Sequence, residues 1–175
     1  MTGIRVSEAL NLLNRDVDWV ERTLTIRGTK FGKSRLVPLH RSTMKVLAEY
    51  VKQRDRIFPS RPDSSFLVNH RGRQLVRSTL SITFYALSRM IGLRSSSSSH
   101  GPRLHDFRHR FATDTLLRWY RNGDDPMRRL PILSTFLGHT SIFHTYWYLT
   151  ATPELMGAAS KRLENRWEGR HAKTR

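Results

Sequence analysis

Apolar residues recur along this chain with two different periods. Val6, Leu10 and Leu13 in GIRVSEALNLL fall on one helical face, and the polar stretch NRDVDWVERT that follows reads as a turn. TLTIRGTK is β-rich with partial alternation, and SRLVPL reads as a short strand ended by Pro38, so Phe31-Gly32 sits where a hairpin reverses. Met44, Leu47 and Val51 mark a second helix, Phe66-Leu67-Val68 a short strand within a loop region, and Leu80, Phe84, Leu87 and Ile91 a third helix. Residues 94–102, RSSSSSHGP, are low in complexity and predict a mobile surface loop. Leu104, Phe107, Phe111 and Leu116 suggest a helix as far as about Trp119, with Phe107 and Phe111 turned largely toward the core. RRLPILSTFLGH predicts a shorter helix stopped by Gly138, SIFHTYWYL the start of another, and Thr152-Pro153-Glu154 the opening of the last. The pattern predicts a mainly α chain with a small antiparallel β-sheet.

Composition narrows the partners more than the fold. The 175 residues, 38% hydrophobic with four tryptophans, suffice for one sizeable core and predict a single domain over 1–175 ending in a basic tail, 168–175. The chain starts almost inside its first helix, which predicts a fold truncated at its N-terminus. The absence of cysteine excludes disulfide scaffolds and thiolate metal sites. Neither a secretory signal nor an apolar run of membrane-spanning length is visible, so the expected location is cytoplasmic and nucleoid-associated, with no membrane partner. Lys+Arg number 31 against 14 Asp+Glu, giving a formal +17 at pH 7. Such an excess points to a polyanion, and to nucleic acid ahead of an anionic membrane surface.

Several polar clusters bear on chemistry. GTKFGKS looks like a phosphate loop, but only three residues separate Gly28 from Gly32, and a strand follows where a nucleotide-binding loop needs a helix. The segment instead predicts a hairpin with Lys30 and Lys33 near its tip. Arg5 and Glu8 stand three apart: either a surface ion pair, or an arginine fork aimed at phosphate and oriented by the carboxylate. His105 and Arg108 stand three apart in HDFRHRFAT and would share a helix face, which also suits plain contact with a DNA backbone. His105, Asp106 and His109 raise a metal site, although a convincing further ligand is missing. In FLGHTSIFHTYWYLT, Gly138 leaves His139 at a helix terminus, and Tyr148 follows nine residues later, with Tyr146 and Trp147 as competing aromatics. Two arginines, a lysine, two histidines and a tyrosine are the groups expected for metal-free attack on a phosphodiester.

Taken in order, TGIRVSE, GTKFGKSRLVPL, HDFRHRFAT and FLGHTSIFHTYWYLT resemble the catalytic domain of the tyrosine recombinases, the phage integrase family, over residues 2 to 167. The resemblance implies that Arg5, Lys30, His105, Arg108, His139 and Tyr148 are catalytic, with Glu8 supporting. Lys33, Arg35 and Arg110 are candidate DNA contacts. It further implies cleavage of one DNA strand through a 3′-phosphotyrosyl link, release of a 5′-hydroxyl and rejoining to a partner strand, without metal, nucleotide or other cofactor. Arg5 and Arg108 would hold the phosphoryl oxygens, His105 would handle the proton, His139 would add a hydrogen bond and Lys30 would protonate the leaving oxygen. Double-stranded DNA is the implied partner, with a monomer alone and a tetrameric synapse for the full-length protein. The N-terminal DNA-binding domain usual in that family is missing from these residues. The alternatives are a noncatalytic basic DNA-binding module or decayed recombinase, and a metal-dependent phosphohydrolase.

Overall fold

The computed structural model describes residues 2–28, 34–60, 64–95, 97, 100–150 and 152–171, and of residues 166 and 168–171 the backbone alone. Its elements run α1 (Val6–Leu10), a 3-10 turn (Asn14–Asp16), β1 (Val17–Asp18), β2 (Thr23–Ile26), β3 (Arg35–Pro38), α2 (Arg41–Ile57), α3 (Arg77–Met90), α4 (Asp106–Arg121), α5 (Pro126–Leu137), α6 (Phe143–Tyr146), a second 3-10 turn (Trp147–Thr150) and α7 (Pro153–His171). The class is the predicted one, mostly helical with a three-stranded antiparallel sheet. The chain divides into two compact units, Met1–Arg108 and His109–Arg175, with the division inside α4. Among the described residues no helix is long and apolar enough to cross a membrane.

In the first unit the sheet has the order β1-β2-β3. Leu24 pairs with Val37 and Ile26 with Arg35, and the buried positions Leu24, Ile26 and Val37 follow the alternation of the pleat. The two arms of the expected hairpin therefore form; its tip, with Lys30 and Lys33, lies outside the described residues. The polar stretch read as a turn holds a further strand, β1, in which Val17 is buried and pairs with Leu24. α1 stops at Leu10 rather than reaching Leu13, whose backbone instead bridges Ser65.

The strand expected at Phe66-Leu67-Val68 does not form. The Phe66 N–H donates to the Leu12 carbonyl at 2.8 Å and the Asn14 N–H to the Ser64 carbonyl at 2.9 Å, a single backbone bridge between Leu13 and Ser65, while the Phe66 carbonyl accepts from the Arg54 side chain at 2.7 Å. Only isolated bridges at Ser65 and Val68 remain. Arg54 is buried on α2, where it also donates to Asn14 and Asp55 and lies over the Tyr50 and Phe66 rings. α3 forms where predicted, but Leu87 and Ile91 are exposed, and the residue turned inward is Ser88, whose hydroxyl donates to the Phe84 carbonyl at 2.7 Å. Phe107, expected in the core, is 55% exposed and rests edge-on against Phe84. The ends of the serine-rich segment are tied by buried Arg94, which donates to the Pro102 carbonyl at 2.8 Å and lies over Tyr85.

In the second unit the core is Ala112, Leu116, Leu130, Leu133, Leu137, Tyr148 and Leu155, with Phe111 stacked on Phe136 beside it. α5 begins earlier than its hydrophobic run suggests, because Asp125 caps it by accepting the Met127 N–H and Pro126 fits the first turn. It ends as expected at Gly138, whose φ of 68° is the left-handed cap conformation that favours glycine.

Candidate active site

The first unit carries Arg5, Glu8, Arg35, His105 and Arg108. Arg5 precedes α1, and its own N–H donates to Glu8 Oε2 at 2.8 Å, closing the first helical turn. Glu8 Oε1 accepts from Arg5 Nη1 at 2.9 Å and from Arg35 Nη1 at 3.0 Å, while Oε2 accepts from Arg35 Nη2 at 2.8 Å. Burial works against the Glu8 carboxylate, but the Arg35 hydrogen bonds, the Arg5 N–H, the Arg35 charge and the Arg5 side-chain hydrogen bond outweigh it and hold its carboxyl below the usual range. One carboxylate thus fixes two guanidinium groups and leaves the cluster with net positive charge. The Arg5 side chain remains 36% exposed, against 11% for Arg35. Arg35, a candidate DNA contact, is paired with Glu8 in this structure.

Arg108 is buried and donates from Nη1 to the Gly3 carbonyl oxygen at 2.7 Å, which ties its guanidinium to the chain two residues before Arg5. Gly3 has φ of 60°, a conformation that turns its carbonyl at little cost only because it lacks a Cβ. His105 is exposed in the turn just ahead of α4, and its carbonyl accepts the Arg108 N–H at 3.0 Å. Asp106 caps this turn by accepting the Arg103 N–H at 2.8 Å. No group of three or more His, Cys, Asp or Glu able to hold a metal occurs among the described residues.

The second unit carries His139, Tyr148 and Arg110. The left-handed turn at Gly138 lets the His139 N–H return to the Ser134 carbonyl at 3.0 Å and projects the imidazole off the end of α5. The His139 ring stacks on Tyr148 with centroids 6.2 Å apart and planes 7° from parallel. Its Nδ1 lies 2.7 Å from the Thr145 hydroxyl, and the edge of His144 approaches at 5.9 Å. Tyr148 is 3% exposed, and His109 meets its ring at 5.5 Å. Among the three competing aromatics, Trp147 is 58% exposed and Tyr146 pairs with Phe143; Tyr148 is the one set against His139. Arg110 is exposed on α4 and paired with Asp114 at 2.9 Å. The contributions of Gly3 and Thr145 carried no sequence signal beyond residue type, and His109, singled out as a candidate metal ligand, lies against the Tyr148 ring.

The profile of the phage integrase family matches residues 1–154. The Sinorhizobium fredii protein named integrase/recombinase y4rB is 55% identical over 171 residues, covering 97% of this chain and 54% of that protein. Tyrosine recombinase XerA of Pyrococcus furiosus is 30% identical over 167 residues, covering 94% of this chain and 52% of its own length. The chain therefore spans about half the length of the curated relatives it matches. Among solved structures, XerA recombinase superposes with a TM-score of 0.74 at 26% identity over 92% of this chain and 53% of its own. XerH site-specific recombinase, crystallised in a post-cleavage complex with its difH substrate, gives 0.66 at 25% identity over 93% of this chain and 43% of its own.

Proposed function

The chain belongs to the phage integrase family, and on that premise we propose that it cleaves and rejoins DNA strands in site-specific recombination, with Tyr148 as nucleophile. The Tyr148 oxygen attacks a backbone phosphorus, the bond to the 5′ oxygen breaks, and a 3′-phosphotyrosyl link and a 5′-hydroxyl result. A phenol ionises near about pH 10, so the attack needs a proton acceptor and cations on the phosphoryl oxygens. His105 is the proton acceptor, Arg5 and Arg108 neutralise the nonbridging oxygens, His139 donates a hydrogen bond to one of them, and Lys30 protonates the departing oxygen. Glu8 and Arg35 hold Arg5 in place, while Lys33 and Arg110 contact flanking phosphates. The reverse attack by a partner strand's 5′-hydroxyl regenerates the tyrosine, so no nucleotide is consumed.

The observation that carries this reading is the stacking of Tyr148 on His139, which its two aromatic neighbours do not share. Double-stranded DNA is the substrate; the chain is a monomer by itself and enters a tetrameric synapse within a full-length recombinase, at the nucleoid. The test is a nicked duplex that traps the adduct. Wild type and Tyr146→Phe should form a covalent complex, and Tyr148→Phe should form none while still binding DNA. Reversible binding without an adduct in wild type would reduce the chain to a basic DNA-binding module.

A further inference from the structure

The Thr145 hydroxyl is fully buried, and among the described residues it has one side-chain hydrogen-bond partner, His139 Nδ1 at 2.7 Å. A hydroxyl carries one proton, and a buried O–H that finds no acceptor bears its full desolvation cost uncompensated. If His139 carried its proton on Nδ1, that N–H would point at the threonine oxygen and the threonine proton would have nowhere to go. With the proton on Nε2, the hydroxyl donates to the Nδ1 lone pair and both groups are satisfied.

We propose that Thr145 is a positioning residue that fixes His139 in its Nε2–H tautomer. Two further contacts hold the ring while the hydroxyl sets its proton: the face of Tyr148 at 6.2 Å and the edge of His144 at 5.9 Å. Nε2 lies on the side of the ring away from Thr145, so the threonine leaves His139 a hydrogen-bond donor and not an acceptor. A donor is what an oxygen of a pentacoordinate phosphoryl group requires. This consequence rests on the role proposed above for His139; the tautomer itself does not.

Nitrogen-15 NMR of the histidine-labelled chain reads the tautomer without any DNA chemistry, with His139 assigned among the eight histidines by loss of its signals in His139→Gln. In wild type at neutral or mildly alkaline pH, Nδ1 should be the unprotonated, pyridine-like nitrogen and Nε2 the protonated one. Thr145→Val removes the hydroxyl at nearly constant shape and should shift the Nδ1 resonance and populate the second tautomer, whereas Thr145→Ser should restore the wild-type pattern. On a nicked duplex, Thr145→Val should slow adduct formation roughly tenfold with DNA affinity unchanged, as expected for one lost hydrogen bond, and serine should recover most of it. A protonated Nδ1 in wild type, or a serine variant that behaves like valine, would overturn the proposal, even if the valine variant failed to fold. A wild-type chain that shows the Nε2–H tautomer yet forms no adduct would leave the tautomer assignment standing and overturn the catalytic reading.

Discussion

Arg108 Nη1 and the Gly3 carbonyl oxygen are 2.7 Å apart, joined across 105 positions of sequence. The glycine acts through its backbone: at φ of 60° its carbonyl reaches a guanidinium that is otherwise cut off from water. Burying a guanidinium is costly unless its donors are hydrogen-bonded, and the Gly3 carbonyl meets part of that requirement.

Gly3→Ala should therefore weaken the Arg108 anchor without touching its charge. An L-residue in the left-handed region costs about 1–2 kcal/mol, which the segment can escape only by turning the carbonyl away. The expected outcome is adduct formation slowed about tenfold or more, with duplex affinity within about twofold of wild type, because the surface cations remain. Single-turnover trapping beside fluorescence anisotropy measures both; an unchanged cleavage rate would show that Arg108 keeps its geometry without Gly3.

The Glu8 cluster gives a pH prediction. Glu8 is held below the ordinary carboxyl value of 4.5, so its folded form binds its proton less readily than the unfolded chain does. Its contribution is full above that ordinary value and is lost as pH falls through the lower folded value. Glu8→Gln removes the charge that pairs with Arg5 and Arg35 and should destabilise the chain by about 1–3 kcal/mol at neutral pH. The deficit should shrink as acid protonates the wild-type carboxylate. Urea unfolding of both proteins at neutral and acidic pH measures it; a deficit constant with pH would mean the ion pairs contribute nothing.

Elements with a clean period were legible in the sequence: β2 and β3 from alternation and Pro38, α2 from Met44, Leu47 and Val51, and the end of α5 from Gly138. β1 was not, because a two-residue strand carries no period and its pairing to β2 is a tertiary event. Phe107 was misplaced because helical spacing shows that a face is apolar, not that another element covers it; Leu87 and Ile91 marked α3 and are exposed for the same reason. Motif order nominated Arg5, His105, Arg108, His139 and Tyr148. What holds them was invisible: Glu8 and Arg35 lie 27 residues apart, and nothing marks Thr145 among the chain's threonines as the partner of His139.

The formal +17 charge sets a third expectation. Each phosphate neutralised releases condensed counterions, so duplex affinity should fall linearly on a logarithmic salt scale with a slope near −0.9 per contact, and by about a thousandfold between about 50 and 200 mM salt if six contacts form. Arg110→Ala, on the exposed face of α4, should reduce the slope by about one and weaken all duplexes alike, because a phosphate contact reads no bases. Anisotropy titrations against unrelated duplexes measure this. Affinity indifferent to salt, or strong preference for one unrelated sequence, would contradict backbone binding.

Lys30 lies outside the described residues, so chemistry must test its role. If it donates the proton to the departing 5′ oxygen, Lys30→Ala should slow cleavage of an ordinary duplex by about 10²–10⁴-fold, the usual contribution of a general acid. A substrate carrying sulfur at the scissile 5′ position changes the requirement, because a thiolate, whose conjugate acid ionises near about pH 8.5, leaves without being protonated. On that substrate Lys30→Ala should recover most of its lost rate, while Tyr148→Phe, which lacks the attacking oxygen, should recover none. Arg108→Ala should stay slow on both, since the charge on the nonbridging oxygens develops whichever atom leaves. Single-turnover trapping with the two duplexes measures all three variants. Equal defects of Lys30→Ala on oxygen and sulfur substrates would move the lysine from proton donor to phosphate clamp.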